Sequence, residues 1–251
     1  VAATASLGTV LSGTASLGMA PPAAIERLSK ALMVAGDAAQ LAFLDRALSL
    51  APALHQARLV AWEIQTRRGQ HAAALAQVRR IADGSAEARR AQFLAAASLI
   101  TLRRFDDAFV QLTLLNRLRR DGAVLNNLGV VQMRRGQPVG TYFSEALAED
   151  PADPRTQFNA GYTAWLGGEP ASAVMRLREA VRTAGSDAEA HFVLGLALAS
   201  TGRPIEAAHE RAIAERLSPR LAGVTPAAAR DWERLRLDVD GTGPARVDRV
   251  M

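Results

Sequence analysis

The sequence predicts an all-α fold, an α-solenoid of about five to six helical hairpins closed by a C-terminal capping helix. Three observations predict it. The 251 residues are 49% hydrophobic but only 5% aromatic, so the core must be built mostly from Ala and Leu, the best helix formers. Ala also lets neighbouring axes approach closely. A pattern of glycine and proline recurs when LNNLGVVQMRRGQP from Leu125, QFNAGYTAWLGGEP from Gln157 and HFVLGLALASTGRP from His191 are aligned. Finally, Gly161 to Gly195 and Ala74 to Ala108 are both separations of 34 residues, a period that belongs to repeated pairs of helices.

Residues 1–22 form an uncharged leader rich in Ala, Gly, Ser, Thr and Leu, expected to be flexible. It is too polar for a transmembrane helix and lacks the basic start of a complete signal peptide. LSGT at Leu11 to Thr14 has the form of a bacterial lipoprotein cleavage box with Thr14 in place of the acylated Cys. The repeat region spans 23–219. In its last three units a glycine lies inside the first helix (Gly129, Gly161, Gly195). A second follows seven residues later (Gly136, Gly168, Gly202), with a proline two beyond it (Pro138, Pro170, Pro204). The second glycine suits a helix end that needs positive φ. The proline suits the first turn of the next helix, where no amide donor is lost. Pro52, Pro151 and Pro219 close second helices reading RALSLAP, EALAEDP and AERLSP.

One unit is short. Gly129 to Gly161 is 32 residues, and the two missing ones fall between Gly136 and Tyr142, because Tyr142-Phe143 and Glu145-Ala146-Leu147 match the usual end of a second helix. The spacing predicts a loop over Gln137 to Thr141 and a late helix start. Beyond the repeats, Thr225-Pro226 opens a helix through AAARDWERLRL, with Trp232 and Leu235 on one face. Residues 220–237 are therefore expected to cap the last hairpin, and 238–251 to be disordered.

The chain resembles tetratricopeptide-repeat (TPR) proteins of the uncharacterised bacterial kind over about residues 23–219, with units starting near Ile25, Ala53, Glu87, Ala123, Pro154 and Asp187. The resemblance implies a right-handed superhelix whose first helices line a concave groove. Two departures stand out: Trp62 occupies a small-residue position, and Arg103 replaces the turn glycine.

The net charge of +5 rests on arginine, Lys30 being the only lysine. Residues 53–136 carry 14 basic and 6 acidic side chains, a net of +8. Many arginines are paired where helices should end, at Arg67-Arg68, Arg79-Arg80, Arg103-Arg104, Arg119-Arg120 and Arg134-Arg135. There they complement helix C-terminal dipoles. A basic strip facing an acidic partner or nucleic acid is the alternative. With no cysteine, no thiolate chemistry exists. P-loop, GxSxG, HExxH and dinucleotide patterns are absent, and the four histidines have no metal-ligand spacing. The sequence thus predicts a protein that is not an enzyme and needs no cofactor or metal.

Binding is the remaining chemistry, and the resemblance places contacts on the first helices. Relative to the first-helix glycine, Asn126, Phe158 and Phe192 lie three before, Asn127 and Asn159 two before, Val130 and Tyr162 one after, and Trp165 four after. Phe93 corresponds in the third unit, and Arg134 and Arg155 supply charge. An Asn amide donates to and accepts from a peptide main chain at once, which gives a sequence-tolerant grip. Tyr162 and Trp165 add anchoring area with a polar tip. Phe158 and Phe192 equally suit a place between hairpins, and Asn127 a bridge between neighbouring backbones. The expected function is a non-enzymatic scaffold binding a partner peptide or helix in the groove. Two alternatives remain: an exported or lipoprotein-like assembly factor for a pilus or secretion system, and an RNA-binding helical solenoid, with nucleic acid the less favoured partner. Cytoplasmic location is favoured, and an envelope location would follow from an export signal ahead of this sequence.

Overall fold

A computed structural model of the chain describes residues 20–230 and 235–239. The leader up to residue 19, Trp232 and the tail from 240 onward lie outside the described residues. Among the described residues the chain is an all-α helical repeat. Six pairs of helices follow one another: α1 (Pro22–Met33) and α2 (Asp37–Leu50), α3 (His55–Arg67) and α4 (His71–Val78), α5 (Ala88–Thr101) and α6 (Phe105–Leu118), α7 (Gly122–Arg134) and α8 (Tyr142–Glu149), α9 (Pro154–Leu166) and α10 (Pro170–Thr183), α11 (Ala188–Ser200) and α12 (Pro204–Leu217). A short 3-10 turn at Pro219–Leu221 and a helix α13 (Pro226–Arg230) complete the order.

The chain divides into two compact units, 1–111 and 112–251, with the boundary inside α6. In the first unit Ala24, Leu28, Ala31, Leu44 and Ala47 begin a core that continues through Leu54, Ala57 and Ile64 of α3. Trp62 is accommodated at its small-residue position by a hydrogen bond. Its buried indole Nε1 donates to Ser98 Oγ of α5 at 2.9 Å, satisfying a donor that would otherwise be costly to bury.

Arg103 is the one described non-glycine residue with positive φ, at 59°. It sits where Gly69, Gly136, Gly168 and Gly202 turn the other hairpins, at 68° to 79°. A side chain in the left-handed region costs roughly 1–2 kcal/mol, part of which glycine gives back through its larger unfolded entropy. Arg103→Gly is therefore expected to stabilise the chain by about 0.5–1 kcal/mol, a rise of a few degrees in thermal midpoint. A midpoint that falls would mean that the guanidinium over the Phe105 ring, 5.6 Å from its centroid, outweighs the strain.

In the second unit the first-helix glycines are points of contact. A Cβ added to Gly129 would lie 2.5 Å from the Phe143 ring of α8, to Gly161 2.6 Å from Leu177 Cγ of α10, and to Gly195 2.7 Å from Arg211 Cγ of α12. Each first helix thus presses its glycine face onto its own second helix and turns another face outward. Each also starts on an aspartate: Asp121 accepts from the amide nitrogens of Ala123 and Val124, Asp153 from those of Arg155 and Thr156, and Asp187 from that of Ala190. These aspartates stand eight residues before the three glycines.

The shortened unit has the late start that its spacing predicts. Residues 137–141 are non-helical, Gly140 has a φ of 60°, and α8 holds 8 residues where α10 and α12 hold 14. At the C-terminal end the structure differs from the helix expected over 226–237. Helix α13 is described over Pro226–Arg230, and 235–239 form no helix. Nor is position 238 loose, since Asp238 is buried. Leu221, Ala229 and Leu235 all join the core of the second unit.

Candidate functional site

Residues 235–239 lie against the outward faces of α7 and α9 and the N-terminal end of α11. Asn127 of α7 donates from Nδ2 to Asp238 O and accepts from Asp238 N, both at 2.8 Å. Asn159 of α9 repeats the arrangement one helix along, donating to Arg236 O and accepting from Arg236 N, again both at 2.8 Å. Asn126 adds a bond from Nδ2 to Arg236 O at 3.0 Å, and its Oδ1 accepts from Asn159 Nδ2 at 2.8 Å. Only an extended chain turns both main-chain groups of alternate residues to the same side. The two asparagines therefore act on the strap as a neighbouring strand would. Because each amide both donates through its nitrogen and accepts through its oxygen, its orientation is fixed.

Side chains set the strap's direction. The Arg236 guanidinium pairs with both carboxylate oxygens of Asp187, Nη2 reaching Oδ1 at 2.6 Å, and lies over the Phe158 ring 3.7 Å from its centroid. Two residues on, Asp238 pairs with Arg155 Nη1 at 3.0 Å. The face is thus negative at the start of α11 and positive at the start of α9. The Arg236–Asp187 pair is substantially shielded from water and the Arg155–Asp238 pair partly so, which strengthens them relative to exposed ion pairs. Nearer the end of α9, Tyr162 OH donates to Ala229 O at 2.8 Å. Arg230 lies 4.8 Å from the centroid of Trp165. Phe158, Tyr162 and Trp165 form one aromatic row, with centroids 5.8 Å and then 6.1 Å apart, because positions i, i+4 and i+7 share a helix face.

The candidate residues separate by position. Asn126, Asn127, Arg155, Phe158, Asn159, Tyr162 and Trp165 converge on the C-terminal segment. Val130 and Phe192 are fully buried in the core of the second unit, and Arg211 of α12 stands 5.5 Å from the Phe192 ring centroid. Arg134 ends α7, half-buried, and Phe93 is buried on α5 in the first unit. Asp187, Thr156, Arg236 and Asp238 escaped the reading of the sequence. Thr156 Oγ1 donates to Asn126 Oδ1 at 3.3 Å. The strap carried a legible signal, since Leu-Arg-Leu-Asp-Val over 235–239 alternates apolar and polar residues at the period of an extended chain. His191, buried on α11, has Glu210 Oε2 at 2.6 Å and Gly185 O at 3.1 Å. Those contacts make it a packed, partnered group.

Among the described residues no cluster of His, Asp and Glu is placed to hold a metal ion, and no helix is long and apolar enough to cross a membrane. Several arginines of the basic middle region have carboxylate partners, Arg67 with Asp37, Arg104 with Asp107, and Arg120 with Glu145 and Glu149.

No family model matches the chain, and no curated protein does. Solved structures do. PilW, a widely conserved type IV pilus biogenesis factor, is similar over 80% of this chain and 96% of its own, at 18% identity and a TM-score of 0.66. The fold is that of a tetratricopeptide-repeat protein. PilF of Pseudomonas aeruginosa is similar over 78% of this chain and 92% of its own, at 17% identity and a TM-score of 0.65. YrrB, a TPR protein with an unusual peptide-binding site, is similar over 71% and 95%, at 17% identity and a TM-score of 0.51. At these identities the likeness establishes the tetratricopeptide fold alone.

Proposed function

We propose that the protein is a non-enzymatic interaction scaffold that binds an extended peptide segment of a partner protein across the first helices of its second unit. The observation that carries this reading is the pair of two-point hydrogen bonds from Asn127 and Asn159 to the main chain at 238 and 236. Two buried side-chain amides on adjacent repeats, each meeting a donor and an acceptor of an extended chain, form a device for holding peptide main chain. The aromatic row beside them supplies apolar area of the kind that anchors interfaces. Recognition by an RNA-reading solenoid has less support, because the acceptor and donor pairs are taken up by peptide groups and many basic side chains already face carboxylates.

The test is selection of linear peptides on the full chain carrying Arg236→Ala and Asp238→Ala, which loosen the strap. Selected peptides are expected to lose at least tenfold in affinity when Asn127→Ala is added. Peptides indifferent to that change would place binding elsewhere and defeat the reading.

A second reading, a factor for pilus or secretion-system assembly, is supported by likeness along nearly the full length of PilW and PilF. Deleting the gene in its source organism is then expected to abolish surface pili. Normal piliation would remove this reading and leave the first untouched.

A further inference from the structure

We infer that the groove on α7, α9 and α11 selects an extended segment carrying an arginine and, two residues later, an aspartate or glutamate, and that residues 235–239 are a built-in copy which competes for the site. The inference rests on the peptide-binding reading above and adds the ligand's chemistry and its control.

Main-chain hydrogen bonds alone accept almost any sequence, so discrimination falls to the two charged positions. The first is shaped for arginine. A flat cation lies on the Phe158 ring, 3.7 Å from its centroid, while its edge meets both oxygens of Asp187. Lysine, a compact point charge, fulfils one of these demands but not both. Asp187 is held in place independently of the strap, since its Oδ1 accepts from Ala190 N at 3.1 Å as the cap of α11. The second position faces Arg155, 3.0 Å from the Asp238 carboxylate. Order matters as much as composition. Reversing the two residues sets carboxylate against Asp187 and guanidinium against Arg155, and like charges in a shielded site are strongly disfavoured.

The strap is built as a ligand more than as a lid on the core. Leu221 and Ala229 already seal the unit ahead of it, each about 1% exposed or less. Beyond Leu235, the strap is held by main-chain hydrogen bonds, two ion pairs, the Arg236 guanidinium on the Phe158 ring and the partly buried Leu237, and Val239 is 39% exposed. Hydrogen bonds exchange protein for water partners at a small net gain each, so such a segment can be displaced by a better copy of itself. A tethered copy lowers the apparent affinity of any outside peptide by the fraction of time it leaves the site free.

The probe is a fluorescently labelled, end-blocked LRLDV peptide, read by anisotropy against the full-length wild type and the full-length R236A/D238A chain, both checked for equal helicity. LRLDV is expected to bind R236A/D238A at least tenfold more tightly than the wild type. The permuted peptide LDLRV is expected to bind at least tenfold more weakly than LRLDV. Adding Asp187→Asn, which retains a good helix cap, is expected to weaken LRLDV about tenfold. Equal affinity for the two chains, equal affinity for the two peptides, or no binding of LRLDV to R236A/D238A would overturn the inference. So would a wild-type dimer that the R236A/D238A changes dissociate, because the strap would then belong to a second copy. If peptide selection yields Asn127-dependent ligands lacking the arginine and acid, the peptide-binding reading survives and this inference alone falls.

Discussion

Asn159→Ala is expected to release residues 235–239 from the second unit and to raise the rate of trypsin cleavage after Arg236 roughly 30- to 150-fold in the otherwise folded chain. Asn159 is fully buried and engages three groups: Arg236 N, Arg236 O and Asn126 Oδ1. Truncation removes those bonds and leaves buried partners unmatched, a loss of about 2–3 kcal/mol, and each 1.4 kcal/mol is a factor of ten in an equilibrium. Cleavage from a rapidly opening strap follows the open population, so the rate reports that factor directly. The comparison is made at equal helicity by circular dichroism. An unchanged cleavage rate would mean that the ion pairs of Arg236 and Asp238 hold the strap without the asparagine.

Gly161→Ala is expected to destabilise the second unit by about 1–3 kcal/mol, against the roughly 1 kcal/mol that alanine ordinarily gains over glycine inside a helix. The reason is contact, since the new Cβ would stand 2.6 Å from Leu177 Cγ. That atom is a branch point in a fully buried side chain and not the free end of a flexible one, so the helices themselves must part. Gly167→Ala supplies the control six residues away. Gly167 has a φ of −74°, its nearest added contact is an ordinary 3.4 Å, and alanine there is expected to stabilise by about 0.4–1 kcal/mol. Denaturant midpoints for the two variants should move in opposite directions. A shared direction would show that helix propensity, and not the close approach of α9 and α10, governs both positions.

Much of this was legible in the chain. Glycine at 161 and proline at 170 are local demands, one for a close approach and one for a helix start, so their positions alone located the hairpin. The two residues missing after Gly136 likewise located the loop before α8, because a deletion in a helix of fixed rise has nowhere to go except its start. The asparagines were identifiable as well, since an Asn amide two residues before Gly129 and before Gly161 falls on the face opposite the contact.

The occupant of that face was not legible by the same means. Residues 226–237 have good helix formers and an N-cap, and propensity alone extends α13 through them. The tertiary structure has 235–239 run extended, because Asn127 and Asn159 offer that segment the hydrogen bonds a helix would otherwise provide, and Asp187 and Arg155 take its charges. Those partners lie 49 to 111 residues away in sequence. Local pattern decides which residues can form a helix; which groups finally satisfy a main chain is decided by whatever the fold brings beside it.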